Sequence, residues 1–84
     1  MAERLNFDGM TAVITGAASG IGLAVAEALA GRGANLALAD IDEAGVAAAA
    51  ERLASNRIKV THAGLDVADR EAPARFADQV RRDH

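Results

Sequence analysis

The segment Thr15–Gly22, TGAASGIG, restricts the fold more than any other part of the chain. It sets three glycines and three small residues between two apolar runs. The first run, MTAVIT at Met10–Thr15, is short, partly β-branched and bounded by Gly9 and Gly16, which predicts a buried strand. In the second, Ile21, Val25, Ala28 and Leu29 recur at i, i+4, i+7 and i+8. That spacing predicts a helix from Ile21 to Arg32 with those residues inward and Gly33 as its left-handed stop. A loop with so little side chain, opening directly into a helix, exposes unpaired backbone N–H groups at the positive end of a helix dipole. Such a place attracts phosphate. Gly16 is expected to make the tight turn out of the strand, Gly20 to let the backbone approach a pyrophosphate, and Gly22 to let the helix pack closely.

The alternation continues along the chain. NLALAD, Asn35–Asp40, reads as a second buried strand. Asp42 reads as the N-cap of a helix whose inward stripe is Val46, Ala49, Ala50 and Leu53. IKVTHAGLDV, Ile58–Val67, contains a third strand that Gly64 helps to end. Asp69 is expected to cap a last helix with Phe76 and Val80 inward. With Asp69 as the cap, Pro73 would sit where the first intrahelical N–H should donate, so regular helix is expected to begin later. On the exposed faces, Glu71 with Arg75 and Asp78 with Arg82 stand at the i, i+4 spacing of ion pairs. The order β-α-β-α-β-α with short connections implies parallel strands joined by right-handed crossovers. The fold class is therefore α/β, the N-terminal β-α-β-α-β-α part of a Rossmann doubly wound parallel sheet.

Composition removes several function classes. The chain is 84 residues long, 51% hydrophobic, with a net charge of −3, which fits one ordinary folded domain and not a disordered tail. With no cysteine it has no disulfide, thiolate metal site or Cys nucleophile. The acidic balance and the lack of a basic stripe argue against nucleic acid. No apolar run approaches the roughly 18 residues of a membrane span, and MAERLNFDGM does not read as a signal peptide. A cytoplasmic location is expected. His62 is a lone histidine in a strand pattern and reads as a packed or rim residue. Asp66 and Asp69 have no histidine pattern to make a metal site.

Asp40 closes the second strand eighteen positions after Gly22, near the offset of a carboxylate that accepts from both ribose hydroxyls of a dinucleotide. The same carboxylate would repel a 2′-phosphate. NAD is therefore expected over NADP, and the flanking Ser19 and Ile41 supply no basic group to reverse that preference. TGAASGIG, together with NLALADID and GLDVAD, resembles the short-chain dehydrogenase/reductase family from about Phe7 to the end of the chain. The resemblance implies a cofactor site made of Gly16, Ser19, Gly20, Ile21, Gly22, Asp40, Ile41, Asp66 and Val67. In it Asp40 holds the adenosine ribose, Asp66 and Val67 contact the adenine by carboxylate and backbone N–H, and Ile21 lies near the pyrophosphate and nicotinamide.

The family's acid–base machinery is a Tyr-x-x-x-Lys pair helped by a Ser, and it has no counterpart here. The chain has no tyrosine; its one lysine, Lys59, enters the third strand, and Ser19 and Ser55 do not match the catalytic serine. The family's Asn-Asn-Ala-Gly segment is also missing. Residues 1–84 thus resemble the N-terminal third of such an enzyme, a single incomplete NAD-binding domain whose first strand is left as an open edge. The intact enzyme would transfer hydride between NAD and an alcohol or carbonyl substrate and would be a homo-oligomer, while this chain alone is expected to be inactive. The competing readings are a non-catalytic nucleotide-binding module and an inert truncated product.

Overall fold

A computed structural model describes residues 7–66 and 68–84. The elements are β1 (Thr11–Thr15), α1 (Gly20–Ala30), β2 (Asn35–Asp40), α2 (Glu43–Leu53), β3 (Val60–Gly64) and α3 (Ala72–Asp83). The strands form one parallel sheet in the order β1-β2-β3. This is the α/β arrangement expected from the alternating pattern.

The central strand explains the composition. Leu36, Ala37, Leu38 and Ala39 of β2 are all fully buried, as a parallel strand covered on both faces must be. Because side chains alternate along a strand, β2 has a leucine face and an alanine face. Leu36 and Leu38 join Ile14 of β1, Ala26 of α1, and Val46 and Ala50 of α2 in one cluster. Ala37 and Ala39 join Leu65, Ala72 and Phe76, so α3 lies on the opposite face. The alanine face offers little bulk, and Phe76 supplies it.

Asp42 does cap α2: its carboxylate accepts from the Gly45 N–H at 2.9 Å. Val46, Ala49 and Ala50 are buried and Leu53 packs beside them, as the periodicity predicts. Gly33 takes the left-handed conformation, with φ +89°, just past the end of α1.

Three expectations are corrected. In α1 the residue that meets the sheet is Ala26, fully buried, with Leu29 and Ala30 beside it, whereas Ile21 and Val25 are exposed. Ala28, also expected inward, is exposed as well, so of the expected stripe only Leu29 packs against the core. Asp69 is not the N-cap of α3, which is Glu71, without a side-chain cap bond. The Asp69 carboxylate instead accepts from the Glu71 N–H at 3.0 Å and from Arg75 at 2.6 Å, one turn ahead of the helix. Pro73 then falls in the first turn, where its missing N–H costs no helical bond. The ion pairs shift accordingly: Arg75 pairs with Asp69 and not Glu71, and Arg81 rather than Arg82 pairs with Asp78. No helix among the described residues is long and apolar enough to cross a membrane.

Candidate functional site

The register brings the carboxyl ends of the strands together, with Thr15 opposite Ala39 and Asp40 opposite Gly64. From Thr15 the chain enters the glycine loop, which two bonds fasten to the end of β2. The N–H of buried Ala17 donates to the Ala39 carbonyl at 3.1 Å, and the Ala18 N–H donates to Asp40 Oδ2 at 2.9 Å.

The loop's glycines serve two physical ends. Gly16 and Gly20 have φ of +67° and +63°, and a Cβ on either would meet nothing within 4 Å. Conformation alone requires glycine there, and the surface above the loop is open. At Gly22 the requirement is space, because a Cβ would lie 2.1 Å from the Gly16 carbonyl oxygen. The first turn of α1 therefore rests on the loop backbone itself.

The start of α1 is electrostatically bare. Its N-cap, Ser19, is extended and makes no side-chain cap bond, and no acidic residue stands in the first turn. Among the described residues no acceptor meets the N–H groups of Gly20, Ile21 and Gly22. An uncompensated helix N-terminus under an open surface has donors and a positive potential suited to a phosphate.

Asp40 is held from both sides. Its Oδ1 accepts from the Asp42 N–H at 2.9 Å, while Oδ2 accepts from Ala18. These two N–H groups, Asp42 first, hold its carboxyl below the ordinary carboxylate range, against a smaller opposing effect of desolvation. It is ionised at neutral pH, and each oxygen retains a lone pair for a further hydroxyl donor.

The sequence-predicted residues gather at this end of the sheet. Ile21 and Ile41 are 84% and 70% exposed beside the loop and the Asp40 turn, which is unusual for large apolar side chains. Asp66 stands one strand over, after β3; it is exposed, and its carboxylate accepts from the Ala68 N–H at 2.9 Å. Val67 lies outside the described residues. No group of histidine, cysteine and acidic residues able to hold a metal occurs among the described residues. Sequence reasoning missed three participants: the N–H groups of Ala18 and Asp42, which hold Asp40, and Gly45, against which Ala18 sits. Only Gly45 left a trace in the sequence, as a glycine in the first turn of an alanine-rich helix.

A family model for short chain dehydrogenases matches residues 10–84. The chain belongs to the short chain dehydrogenase family. It is 42% identical over 73 residues to a D-threitol dehydrogenase of Mycolicibacterium smegmatis, covering 87% of this chain and 28% of that protein. Among solved structures it is similar to a short chain dehydrogenase/reductase of Burkholderia phymatum in complex with NAD, with a TM-score of 0.85 at 38% identity. That match covers 94% of this chain and 28% of the other. A second is an L-sorbose reductase of Gluconobacter frateurii complexed with NADPH and L-sorbose, with a TM-score of 0.85 at 35% identity, covering 94% and 30%. The chain thus spans under a third of the length of these short chain dehydrogenase relatives.

Proposed function

We propose that these 84 residues form the dinucleotide-binding part of an oxidoreductase that passes hydride between NAD and an alcohol or carbonyl substrate. The observation that carries this reading is Asp40: an ionised carboxylate, fixed by the Ala18 and Asp42 N–H groups, beside a glycine loop with an uncompensated helix N-terminus. On this reading the pyrophosphate lies over Gly16–Gly22 with the N–H groups of Gly20, Ile21 and Gly22 as donors. Asp40 accepts from the hydroxyls of the adenosine ribose. Asp66 borders the adenine, and Ile21 lies near the pyrophosphate and nicotinamide.

Relatives of this fold bind either coenzyme, since one similar structure holds NAD and another NADPH. The preference for NAD rests on charge. A 2′-phosphate would be set against a carboxylate that its two backbone donors keep ionised and in place, with no basic side chain from Ser19 or Ile41 to offset it. The bound nicotinamide would supply the hydride chemistry. Proton transfer to or from the substrate oxygen needs a phenol or an equivalent acid, and these 84 residues contain no tyrosine to supply the phenol.

The test is a fluorescence titration of the full-length protein with NADH and NADPH, in the wild type and in Asp40→Ala. NADH is expected to bind more tightly than NADPH. Loss of the carboxylate is expected to weaken NADH about tenfold, the worth of a charge-assisted hydrogen bond. Unchanged NADH affinity in Asp40→Ala would sink the assignment.

A further inference from the structure

We propose that Asp42 and Gly45 are positioning residues that hold the Asp40 carboxylate, so that the preference for NAD over its 2′-phosphorylated form depends on them. This inference rests on the reading of Asp40 as the ribose acceptor and deepens it.

Gly45 has no local justification. It is the third residue of α2, in the run EAGVAAAA, where alanine would be favoured by about 1 kcal/mol. Its backbone does not demand glycine either, since it is not among the residues of positive φ. What excludes a side chain is space. A Cβ would stand 2.2 Å from Asp42 Oδ2, 2.7 Å from Asp42 Cγ and 3.1 Å from the Ala18 Cβ.

Those contacts close a ring around Asp40. Ala18 donates to Asp40 Oδ2 and Asp42 donates to Asp40 Oδ1, both at 2.9 Å. Gly45 donates to Asp42 Oδ1 at 2.9 Å, which sets the backbone of Asp42 and with it the direction of its N–H. Gly45 then faces Ala18, where a methyl group would make a tight 3.1 Å contact, so the first turn of α2 buttresses the glycine loop. A methyl group at position 45 must turn the Asp42 carboxylate, straining its cap, and press on Ala18 beside its bond to Asp40. Either movement frees one oxygen of Asp40. A carboxylate held at both oxygens cannot turn away from a 2′-phosphate, whereas one held at a single oxygen can, and the discrimination falls.

The experiment measures Kd for NADH and for NADPH on the full-length protein, with thermal melting alongside. It compares the wild type, Gly45→Ala, Asp42→Ala and Asp42→Asn. Gly45→Ala changes no charge, and it is expected to lower the NADPH/NADH ratio of Kd values about fivefold, through a weaker repulsion of NADPH together with weaker NADH binding. Asp42→Ala removes both a charge and the cap, whereas Asp42→Asn removes the charge and keeps an acceptor for the Gly45 N–H. The alanine variant is therefore expected to lose about threefold more of the preference than the asparagine variant. A Gly45→Ala protein that melts lower but keeps the wild-type ratio overturns the proposal, because the glycine is then only structural. Equal ratios in Asp42→Ala and Asp42→Asn overturn it too, since charge alone is then at work. Should Gly45→Ala fail to fold, the comparison at position 42 decides. A wild-type protein that binds neither coenzyme overturns the dinucleotide reading itself, an outcome distinct from the others.

Discussion

Replacing Gly22 with alanine tests the geometry of the loop most directly. Inside a helix, glycine to alanine normally stabilises by about 1 kcal/mol, because alanine has less backbone entropy to lose. Here the added Cβ would lie 2.1 Å from the Gly16 carbonyl oxygen, 2.7 Å from its carbon and 3.2 Å from the Thr15 carbonyl oxygen. A relaxed C···O contact is about 3.3 Å, so helix and loop must separate by about 1 Å. All three atoms belong to the backbone, and no side chain can swing aside to absorb the movement. Overpacking of this kind costs about 1–3 kcal/mol, and it outweighs the propensity gain. Gly31 is the internal control. It has φ −63° and its nearest neighbours to a Cβ are carbonyl oxygens at 3.5 and 3.6 Å, so Gly31→Ala is expected to stabilise by about 0.4–1 kcal/mol. Urea denaturation of the two variants and the wild type, with m-values compared, reads both signs. A Gly22→Ala protein as stable as the wild type would mean that the loop and helix are not in the contact described.

Two further predictions concern stability. The Arg75 side-chain bond, followed by the Glu71 N–H, holds the Asp69 carboxyl below its ordinary value, and the Asp42 and Ala18 N–H groups do the same for Asp40. A folded-state value below the unfolded one, about 3.9, gives stabilisation that is complete above that pH and lost as pH falls through the folded value. The urea midpoint is expected to drop below about pH 4, and less steeply in Asp69→Asn; an identical pH dependence in that variant would count against the Asp69–Arg75 interaction. Leu38→Ala, at a fully buried position of β2, is expected to cost about 2–5 kcal/mol. By contrast Arg52→Ala breaks a 3.2 Å pair with Glu27 between side chains 61% and 52% exposed, and is expected to change stability by less than about 1 kcal/mol. A larger effect at Arg52 than at Leu38 in the same urea experiment would invert the assignment of core and surface.

The parts of the fold that were legible in the sequence are those set within a few residues. The cap of α2 follows from the Asp42 carboxylate reaching an N–H three positions on. The turn at Gly16 and the left-handed stop at Gly33 sit where only glycine avoids a penalty. Where a side chain had partners to choose from, local rules failed. Asp69 could have capped α3 but met the Glu71 N–H and Arg75 first, and Arg75 was then taken from Glu71. In α1 the apolar spacing suggested Ile21 and Val25 as the inward stripe. The sheet instead received Ala26 with Leu29 and Ala30 beside it, because which arc of a helix turns inward is set by how the helix seats on the strands and not by apolar spacing alone.

The order of strands and helices, the glycine loop between β1 and α1, and the acid that ends β2 are all written in runs of neighbouring residues. Backbone sterics and short-range hydrogen bonding need no knowledge of the rest of the chain. That Asp40 is gripped by Ala18, 22 residues away, and that Gly45 stands against Ala18 of the same loop, was settled by the packing of the elements. Both are matters of ångström-scale distance between elements that meet only when the strands pair. No pattern of residue types along the chain encodes such a distance.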